Sequence, residues 1–539
     1  MANVLSIIDS AKAEYLCTNG QRAEGLKLYQ QVIEQLEEKD KRIAMSNFVL
    51  HSFAEGRELA SKGKWVEALD TYKAVLNYTN FPIVTYKNIG LCLKAMKNFT
   101  AAITLFELYE KDTSDKYDAL INLGEMYYKG LNNMEKAIEY YEKAIEYNKE
   151  DCSIWNMLGH LYSTFYRDSH EEEQIRYLKG AYDRNPKDKI IVKNLAYVLG
   201  KFNRIEEADK YYSELMNLNP LHSDLHSYGA YLVRHKRFKE GFKYLRHRFQ
   251  KEDIKSCVFP SMFFGPKGWK VGKSIKNKNV LLHSEQGFGD TLLFARYAML
   301  LKEKCKSVTI AVQKGLYPLY KVVGLEGIKV LEAGGLSDTE FDVVIPMMDL
   351  PLVCKTTPDN IPLSEGYLNV PLAYVEEYKE KYIKDDKLFR IGVAFEGSAL
   401  SVETQRDIPL AELYSLMQLP NVQVYCFQVG ELTNQIPKVP KEYNFTPLGH
   451  TFKNWLDTAA AMKNMDLIVT TDNGVMNLAG SLGMRTFGLF NSLTEWRWFK
   501  TEGEDVGWYK SIKPFKCKTH NEWKPVIERV LDEVRALIE

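Results

Sequence analysis

Small residues recur through the first half of the chain at nearly constant spacing. Successive members are separated by 34, 34, 35, 37 and 33 residues. They are Gly56, Gly90, Gly124, Gly159, Ala196 and Gly229. Most are followed by a second small residue and then, four positions later, by a large one, as in Ala68 and Tyr72. This order predicts pairs of antiparallel helices that approach closely at the small residues, with the large side chain of the second helix filling the gap.

One unit departs from the pattern, because Gln174 and Leu178 occupy the second and third places. An earlier copy is indicated by Ala13, Gly25 and Tyr29 in the corresponding order. The pattern resembles the tetratricopeptide repeat (TPR) over roughly residues 10–250. It predicts a solenoid domain of six or seven repeats. Solenoids have a concave face that binds extended peptides or other proteins, so we expect a protein or peptide partner. The alternative, an array that only stabilises or oligomerises the chain, stays open.

The hydrophobic pattern changes near residue 255, where short β-branched and aliphatic runs begin to alternate with helical stretches. The runs cover residues 279–285, 307–313, 341–347, 389–397, 422–428, 466–472 and 485–491. The helical stretches are Thr291–Lys304, Leu410–Met417, Trp455–Met462, Val475–Leu482 and Trp523–Ile538. Buried strands that alternate with helices imply parallel sheets covered on both faces. The predicted fold class is therefore α + α/β, with domains at residues 1–250, 251–380 and 381–539.

Composition narrows the class of protein. Apolar residues make up 45% and charged residues 26%, as in ordinary globular proteins. Basic and acidic residues both number 71, and this balance speaks against a general nucleic-acid binder. No apolar run reaches the length that spans a bilayer, so no membrane partner is expected. The eight cysteines are scattered without a CxxC motif, which is typical of reduced thiols in a cytoplasmic protein.

Polar residues follow three of the predicted strands, where ligands of parallel sheets bind. After the first strand, Gly287 and Gly289 allow close backbone approach, and Asp290 stands where a carboxylate could simply cap a helix. The loop at 397–409 carries Arg406, which can bind a phosphate or form a surface ion pair.

The third of these strand ends leads from residues 466–472 into a helix. Asp472 and Asn473 stand at this junction, followed by Gly474. The unpaired N–H groups and the dipole at the start of that helix suit a diphosphate.

The order of these motifs carries a resemblance. The run LLHSEQGFGDTLLFARYAMLL, then TQRDIPLAEL, then DLIVTTDNGVMNLAGSLG followed by EWRWF resembles bacterial TPR glycosyltransferases. Their catalytic half is similar to the heptosyltransferase-like (family 9) GT-B enzymes and more distantly to the O-linked GlcNAc transferases. The resemblance extends from about residue 265 to the C-terminus and implies a GT-B fold of two Rossmann-like lobes, with the acceptor at the first and the nucleotide-sugar donor at the second.

The resemblance also implies roles for individual residues. Asp290 becomes the first candidate for general base and Glu285 the second. The donor-binding candidates are Gly287, Gly289, Gln405, Arg406, Gln428, Asp472, Asn473, Gly474 and Asn477. The family usually has a histidine where this chain has Asn477, which can donate a hydrogen bond but cannot carry charge. His283 is a further candidate base, although a histidine that ends a buried strand is more often structural.

The chemistry implied is inverting transfer of a sugar from a nucleotide-sugar to a hydroxyl, on a protein bound by the repeats. No Asp-x-Asp sequence follows a predicted strand, so we expect neither a metal nor another cofactor. Two alternatives stay open. One is a TPR scaffold that binds nucleotide-sugar with little or no catalysis, and the other is a transferase acting on modified DNA bases. The oligomeric state is also left open.

Overall fold

The computed structural model describes residues 2–79, 82–250, 261–263, 265–334, 340–383, 387–397 and 406–539. The chain forms two compact units, Met1–Val198 and Leu199–Glu539. The predicted domain boundaries at residues 250 and 380 remain predictions. Among the helices in these ranges, none is both long enough and apolar enough to cross a membrane.

The described part of residues 1–250 consists of α-helices joined by short turns. Their bounds are α1 Ala2–Thr18, α2 Arg22–Val32, α3 Glu38–Ser61, α4 Trp65–Val75, α5 Ile83–Ala95, α6 Phe99–Asp112, α7 Lys116–Glu125, α8 Met134–Tyr147, α9 Cys152–Phe165, α10 Glu171–Arg184, α11 Lys189–Lys201, α12 Ile205–Asn217, α13 His222–Arg234 and α14 Phe238–Leu245. This succession confirms the predicted helical repeat region.

The recurring small residues lie where paired helices touch. A methyl group built on Gly56 would stand 2.5 Å from the ring of Tyr72. The same construction on Gly124 places a methyl group 2.8 Å from the ring of Tyr141. Because a Cβ atom does not fit at these distances, each glycine allows the large side chain of the following helix to fill the gap between the pair.

The two longest repeat steps have separate structural causes. The step of 35 residues contains a π-helical turn at Met126–Gly130, which accommodates one extra residue. The step of 37 residues contains a longer turn between α9 and α10. There the buried Gln174 donates its side-chain amide to the carbonyl oxygens of Arg167 and Ser169, over 3.0 and 2.6 Å. Gln174 therefore replaces the usual small residue because its amide holds the longer turn.

The second unit contains a parallel sheet of four strands in the order β3-β2-β1-β4. Its strands are β1 Asn279–His283, β2 Ser307–Val312, β3 Lys329–Glu332 and β4 Val343–Pro346. Its helices are α15 Phe288–Phe294, α16 Tyr297–Leu301, α17 Tyr317–Val323 and α18 Leu350–Val353. The central strand β1 pairs in parallel with β2 and with β4. The carboxyl end of β1 therefore lies between the carboxyl ends of β2 and β4.

A second parallel sheet of six strands follows, in the order β10-β9-β8-β5-β6-β7. Its strands are β5 Phe389–Ala394, β6 Val422–Cys426, β7 Phe445–Pro447, β8 Leu467–Thr471, β9 Thr486–Phe490 and β10 Ile512–Lys516. The accompanying helices are α19 Leu372–Tyr382, α20 Tyr414–Met417, α21 Trp455–Met462, α22 Gly474–Ser481 and α23 Lys524–Ile538. The predicted class, helical repeats followed by α/β lobes with parallel sheets, is confirmed.

The predicted helical stretch Thr291–Lys304 is divided between α15 and α16. Ala295 and Arg296, which separate the two helices, keep right-handed helical dihedral angles. The buried Arg296 guanidinium donates from Nε to the Leu293 carbonyl oxygen over 2.8 Å and from Nη1 to the Trp508 carbonyl oxygen over 2.7 Å. A buried charge needs such partners, and the contact with Trp508 connects the first lobe to the segment before β10.

Helix α14 belongs to the repeat pattern but packs on the α/β lobes. Phe238 stacks on Trp508 with ring centroids 5.6 Å apart, and Phe242 meets Trp496 edge-on at 6.2 Å. Both phenylalanines belong to the same apolar core as Leu282 of β1. The last helix of the repeat region is thus part of the hydrophobic core of the second unit.

Candidate functional site

A glycine-containing turn leads from the carboxyl end of β1 into α15. Gly287 immediately precedes this helix, and its N–H donates to Asp290 Oδ2 over 3.2 Å. Asp290 therefore satisfies a backbone donor at the helix start, which is the capping role considered from the sequence. Its other oxygen, Oδ1, accepts from Arg497 Nε over 2.7 Å. The carboxylate thus has a structural contact on one side and a cationic contact on the other.

The start of α22 lies at the carboxyl end of β8. The N–H of Met476 donates to Asn473 Oδ1 over 3.1 Å, so that Asn473 caps this helix. Gly474 is its first residue, and a methyl group there would stand 2.7 Å from the ring of Trp455. The free N–H groups of the first turn and the helix dipole favour a bound anion at this position.

The two turns lie against each other. A methyl group built on Gly289 would be 3.0 Å from Asn477 Nδ2 and 3.9 Å from Gly474 Cα. Asn477 is buried, and its Nδ2 donates to the Asn473 carbonyl oxygen over 3.2 Å. Residues predicted from distant parts of the sequence, Asp290 on the first lobe and Gly474 on the second, are therefore brought to one place.

Arg497 of the second lobe contacts Asp290 of the first lobe, and it was not among the site residues predicted from the sequence. Its guanidinium contacts Asp290 at 2.7 Å and Glu495 at 3.0 Å, and Nη2 donates to Gln286 Oε1 over 3.2 Å. Burial lowers the pKa of Arg497, but the carboxylates of Asp290 and Glu495 outweigh burial and raise it. The sequence signal for Arg497 is its position in the run EWRWF, which contributes only to the family resemblance.

Arg406, predicted to bind the donor, lies beside Asp472 in the second lobe, and its role stays a prediction. Its Nη1 is 3.5 Å from Asp472 Oδ2. Burial raises the pKa of Asp472, and the positive charge of Arg406 opposes that shift. Gln405, the residue predicted beside Arg406, lies outside the described residues, so its placement stays a prediction.

A further carboxylate, Glu396, lies at the carboxyl end of β5 and was not predicted. Its Oε1 accepts from Gln435 Nε2 over 2.8 Å, while Oε2 is buried without a hydrogen-bond partner among the described residues. Burial and the negative charge of Asp407 raise the pKa of Glu396 to about 7. It ionises near neutral pH at the same sheet edge as Arg406, which makes it a functional candidate.

Gln428, predicted to bind the donor, follows β6 and contacts backbone. Its Oε1 accepts from the N–H groups of Phe395 and Glu396, over 3.3 and 3.2 Å. Its Nε2 donates to the Val429 carbonyl oxygen over 3.3 Å. These contacts position Glu396 at the end of β5, so Gln428 acts on the site through the backbone.

Glu285, the second candidate base, is not among the groups around Asp290. Its two oxygens accept from Nε and Nη2 of Arg248, both over 2.8 Å, and Oε1 also accepts the Met348 N–H over 3.1 Å. Arg248 Nη2 contacts Asp349 as well, at 2.8 Å. Because the lone pairs of Glu285 are occupied in a fully buried ion cluster, the geometry argues against the predicted role as a base.

His283 is likewise enclosed. Burial lowers the pKa of His283, and Nδ1 lies 2.6 Å from the Ser284 carbonyl oxygen. This contact fits the structural alternative considered for it. Within the described ranges, no group of three or more histidine, cysteine, aspartate or glutamate side chains is arranged to hold a metal ion. The expectation of no metal remains a prediction.

Comparison with known proteins supports the repeat assignment. Residues 117–151, which span α7 and α8, match the family model "Tetratricopeptide repeat". Protein FlbA of Caulobacter vibrioides is 23% identical to this chain over 526 residues, which are 92% of this chain and 85% of FlbA.

Part of the chain is also similar to solved structures. The TPR protein YrrB, described as having an unusual peptide-binding site, is 19% identical with a TM-score of 0.30, over 37% of this chain and 96% of YrrB. The C-terminal part of a TPR repeat-containing protein from Cytophaga hutchinsonii is 14% identical with a TM-score of 0.35, over 46% of this chain and 96% of that one. MamA from Desulfovibrio magneticus RS-1 is 18% identical with a TM-score of 0.29, over 32% and 94% of the two chains.

Proposed function

We propose that this protein is an inverting, metal-independent glycosyltransferase that moves a sugar from a nucleotide-sugar to a hydroxyl group of a polypeptide bound by the TPR array. The observation that carries the proposal is the contact between the two helix starts. The turn with Asp290 lies against the start of α22, with Gly289 close to Gly474. Such a transfer needs a carboxylate close to a helix start that binds an anion.

The proposed reaction is a single displacement. The acceptor oxygen attacks the anomeric carbon while the bond from that carbon to the diphosphate oxygen breaks. The acceptor proton passes to the Asp290 carboxylate, and the nucleoside diphosphate leaves with the bonding electron pair. Attack from the face opposite the leaving group inverts the anomeric centre. General-base assistance of this kind contributes about 10²- to 10⁴-fold in rate.

The leaving diphosphate gains negative charge as the bond breaks. In this proposal, the N–H groups at the start of α22 and the guanidinium of Arg406 stabilise that charge. Preorganised donors of this type contribute about 3 kcal/mol each in a site that excludes water. Glu396, which lies at the neighbouring strand end, is the candidate for hydrogen bonds to the ribose hydroxyls.

The acceptor is proposed to be a polypeptide because stacked helix pairs present an extended concave surface to such partners. A serine, threonine or tyrosine hydroxyl would then reach Asp290 from the side of the first sheet. An acceptor held at a distance by the repeats raises the local concentration of its hydroxyl at the site.

The experiment is a nucleotide-release assay on the full chain with a panel of UDP-, GDP-, ADP-, CDP- and dTDP-sugars, with and without candidate protein acceptors. The proposal expects release of one nucleoside diphosphate that depends on Asp290. Absence of turnover with every donor under every acceptor condition would count against it. Arg535→Gln is a suitable control, because Arg535 is exposed and pairs with Asp532 in the same helix, α23.

A second candidate function is a binding scaffold without transfer. The observation that favours it is Asn477, which occupies the place of a family histidine and is used in a hydrogen bond to its own helix. A scaffold would bind a nucleoside diphosphate or nucleotide-sugar without releasing sugar. Calorimetric binding together with absent turnover distinguishes this candidate from the first.

A further inference from the structure

The proposed base is not free in this structure. Asp290 Oδ2 accepts the Gly287 N–H over 3.2 Å, and Oδ1 accepts from Arg497 Nε over 2.7 Å. The contact with Arg497 therefore occupies Oδ1, and the contact with Gly287 occupies Oδ2. If Asp290 is to take a proton from an acceptor hydroxyl, its contact with Arg497 has to change first.

Arg497 is placed to leave Asp290 for a bound diphosphate. Its guanidinium lies over the Trp496 ring at 4.5 Å and also interacts electrostatically with Asp472, the residue before the cap of α22. The side chain is 19% exposed, so a ligand in the site can reach it. The planar fork of an arginine binds phosphate oxygens as readily as carboxylate oxygens.

We infer that Arg497 is a positioning residue that responds to the donor: it exchanges its contact with Asp290 for the diphosphate when a nucleotide-sugar binds, which frees Asp290 to act as base. The inference rests on the proposed function and adds an order of events to it. The donor must bind before the acceptor hydroxyl can be activated, so that no base is exposed without a sugar to transfer.

This arrangement has a consequence for affinity. If Arg497 is shared between Asp290 and the ligand, the apparent affinity for a diphosphate is reduced by the fraction of molecules in which Arg497 is held by Asp290. Removing the charge of Asp290 should therefore strengthen ligand binding. A merely structural ion pair would not do this, because its loss would leave affinity unchanged or weaken it.

The experiment measures binding of inorganic pyrophosphate and of ADP, GDP, UDP, CDP and dTDP to the full chain by calorimetry. Asp290→Asn keeps the size of the side chain and an oxygen that can accept the Gly287 N–H. We expect it to raise affinity by about fivefold. Arg497→Gln should lower affinity by about tenfold, and Arg497→Lys should lower it less. Arg535→Gln, far along α23, should change nothing.

The double variant separates release of Arg497 from simple charge repulsion. With Arg497→Gln already present, Asp290→Asn should have no further effect on affinity. A rise in affinity that persists in this background would mean that Asp290 repels the ligand directly, and would overturn the inference. An unchanged or lower affinity of Asp290→Asn alone would also overturn it.

The binding measurements distinguish failure of the proposed function from failure of the inference about Arg497. If the wild-type chain binds none of the probes, the proposed function fails and this inference with it. If the wild-type chain binds a probe and releases sugar but Asp290→Asn does not bind more tightly, only the inference fails. Thermal denaturation of each variant checks that it is folded, and the Asp290→Asn comparison stands even if Arg497→Gln does not fold.

Discussion

Two carboxylates at the end of β1, Glu285 and Asp290, are five positions apart and both contact an arginine. Their surroundings differ. Glu285 is enclosed with Arg248 and Asp349, and the exposed fraction of each of these three side chains is 2% or less. Asp290 and its partner Arg497 are 12% and 19% exposed.

We propose that this difference in exposure separates a structural ion pair from a functional one. Arg248, which comes from the end of the repeat region, closes the first sheet edge around Glu285. Arg497, which comes from the second lobe, meets Asp290 where a ligand can compete for it. Each pair joins a carboxylate to a guanidinium. The two pairs differ in their access to a ligand, and that access decides what each pair can do.

The largest expected effect is on folding, and it concerns the ion pair between Glu285 and Arg248. A fragment of residues 251–539 lacks Phe238, Phe242 and Arg248, so we expect it not to fold. Loss of Arg248 alone leaves the buried Glu285 without its cation, while Asp349 keeps Arg246 at 3.1 Å. Such a loss costs about 3–5 kcal/mol. A fragment of residues 189–539, which begins with α11, should fold. Circular dichroism and thermal denaturation of both fragments test this, and a stable 251–539 fragment would contradict it.

Reciprocal substitutions should separate the two pairs. Asp290→Asn should lower turnover by about 10²- to 10⁴-fold and change the free energy of unfolding by only about 1 kcal/mol. Glu285→Gln should cost about 3 kcal/mol of stability, while the folded fraction retains most of its turnover. Steady-state kinetics and urea denaturation measure both effects. Equal losses of turnover in the two variants would remove the distinction.

The contact of Gly474 with Trp455 offers a smaller test on the ligand side. Gly474→Ala places a methyl group 2.7 Å from the indole ring, so the ring or the helix start must shift. We expect this to cost about 1–3 kcal/mol and to weaken nucleotide binding. Gly124→Ala is the matched control, because it places a methyl group 2.8 Å from the Tyr141 ring in the repeat region. Similar losses of nucleotide binding in both variants would show that the contact with Trp455 is not responsible.

Glu396 provides the smallest effect, a pH dependence. Burial and Asp407 raise the pKa of Glu396 from its ordinary value of 4.5 to about 7. Between these values the folded chain holds a proton that the unfolded chain releases, so this residue makes stability fall as pH rises. Urea denaturation across this range should show the decline in the wild type relative to Glu396→Gln. Parallel pH profiles would contradict the assignment.

The sequence predicted every central strand and one edge strand, β4. The unpredicted strands β3, β7 and β10 all lie at an edge of their sheet. Edge strands are covered on fewer sides, so they are short and carry more polar residues, as in β3 Lys329–Glu332. The hydrophobic runs on which the predictions depended are strongest where a strand is buried on both faces.

The candidate site was predicted in part for a similar reason. Asp290 and Gly474 stand at helix starts that local patterns reveal. Arg497 and Arg248 approach from segments distant in the sequence, and nothing in their immediate neighbours indicates which carboxylate each one meets. The resemblance ranked Asp290 before Glu285 as a candidate base, but the arginine that each carboxylate meets became visible only in the fold.

The most direct test of the central claim is a crystal structure of the full chain with a nucleotide-sugar that it binds. We predict that the diphosphate lies at the N–H groups that open α22, near Gly474. We also predict that Arg497 has turned from Asp290 to a phosphate oxygen and that the anomeric carbon faces Asp290. A nucleotide bound elsewhere, with side chains filling the space between Asp290 and Gly474, would contradict it.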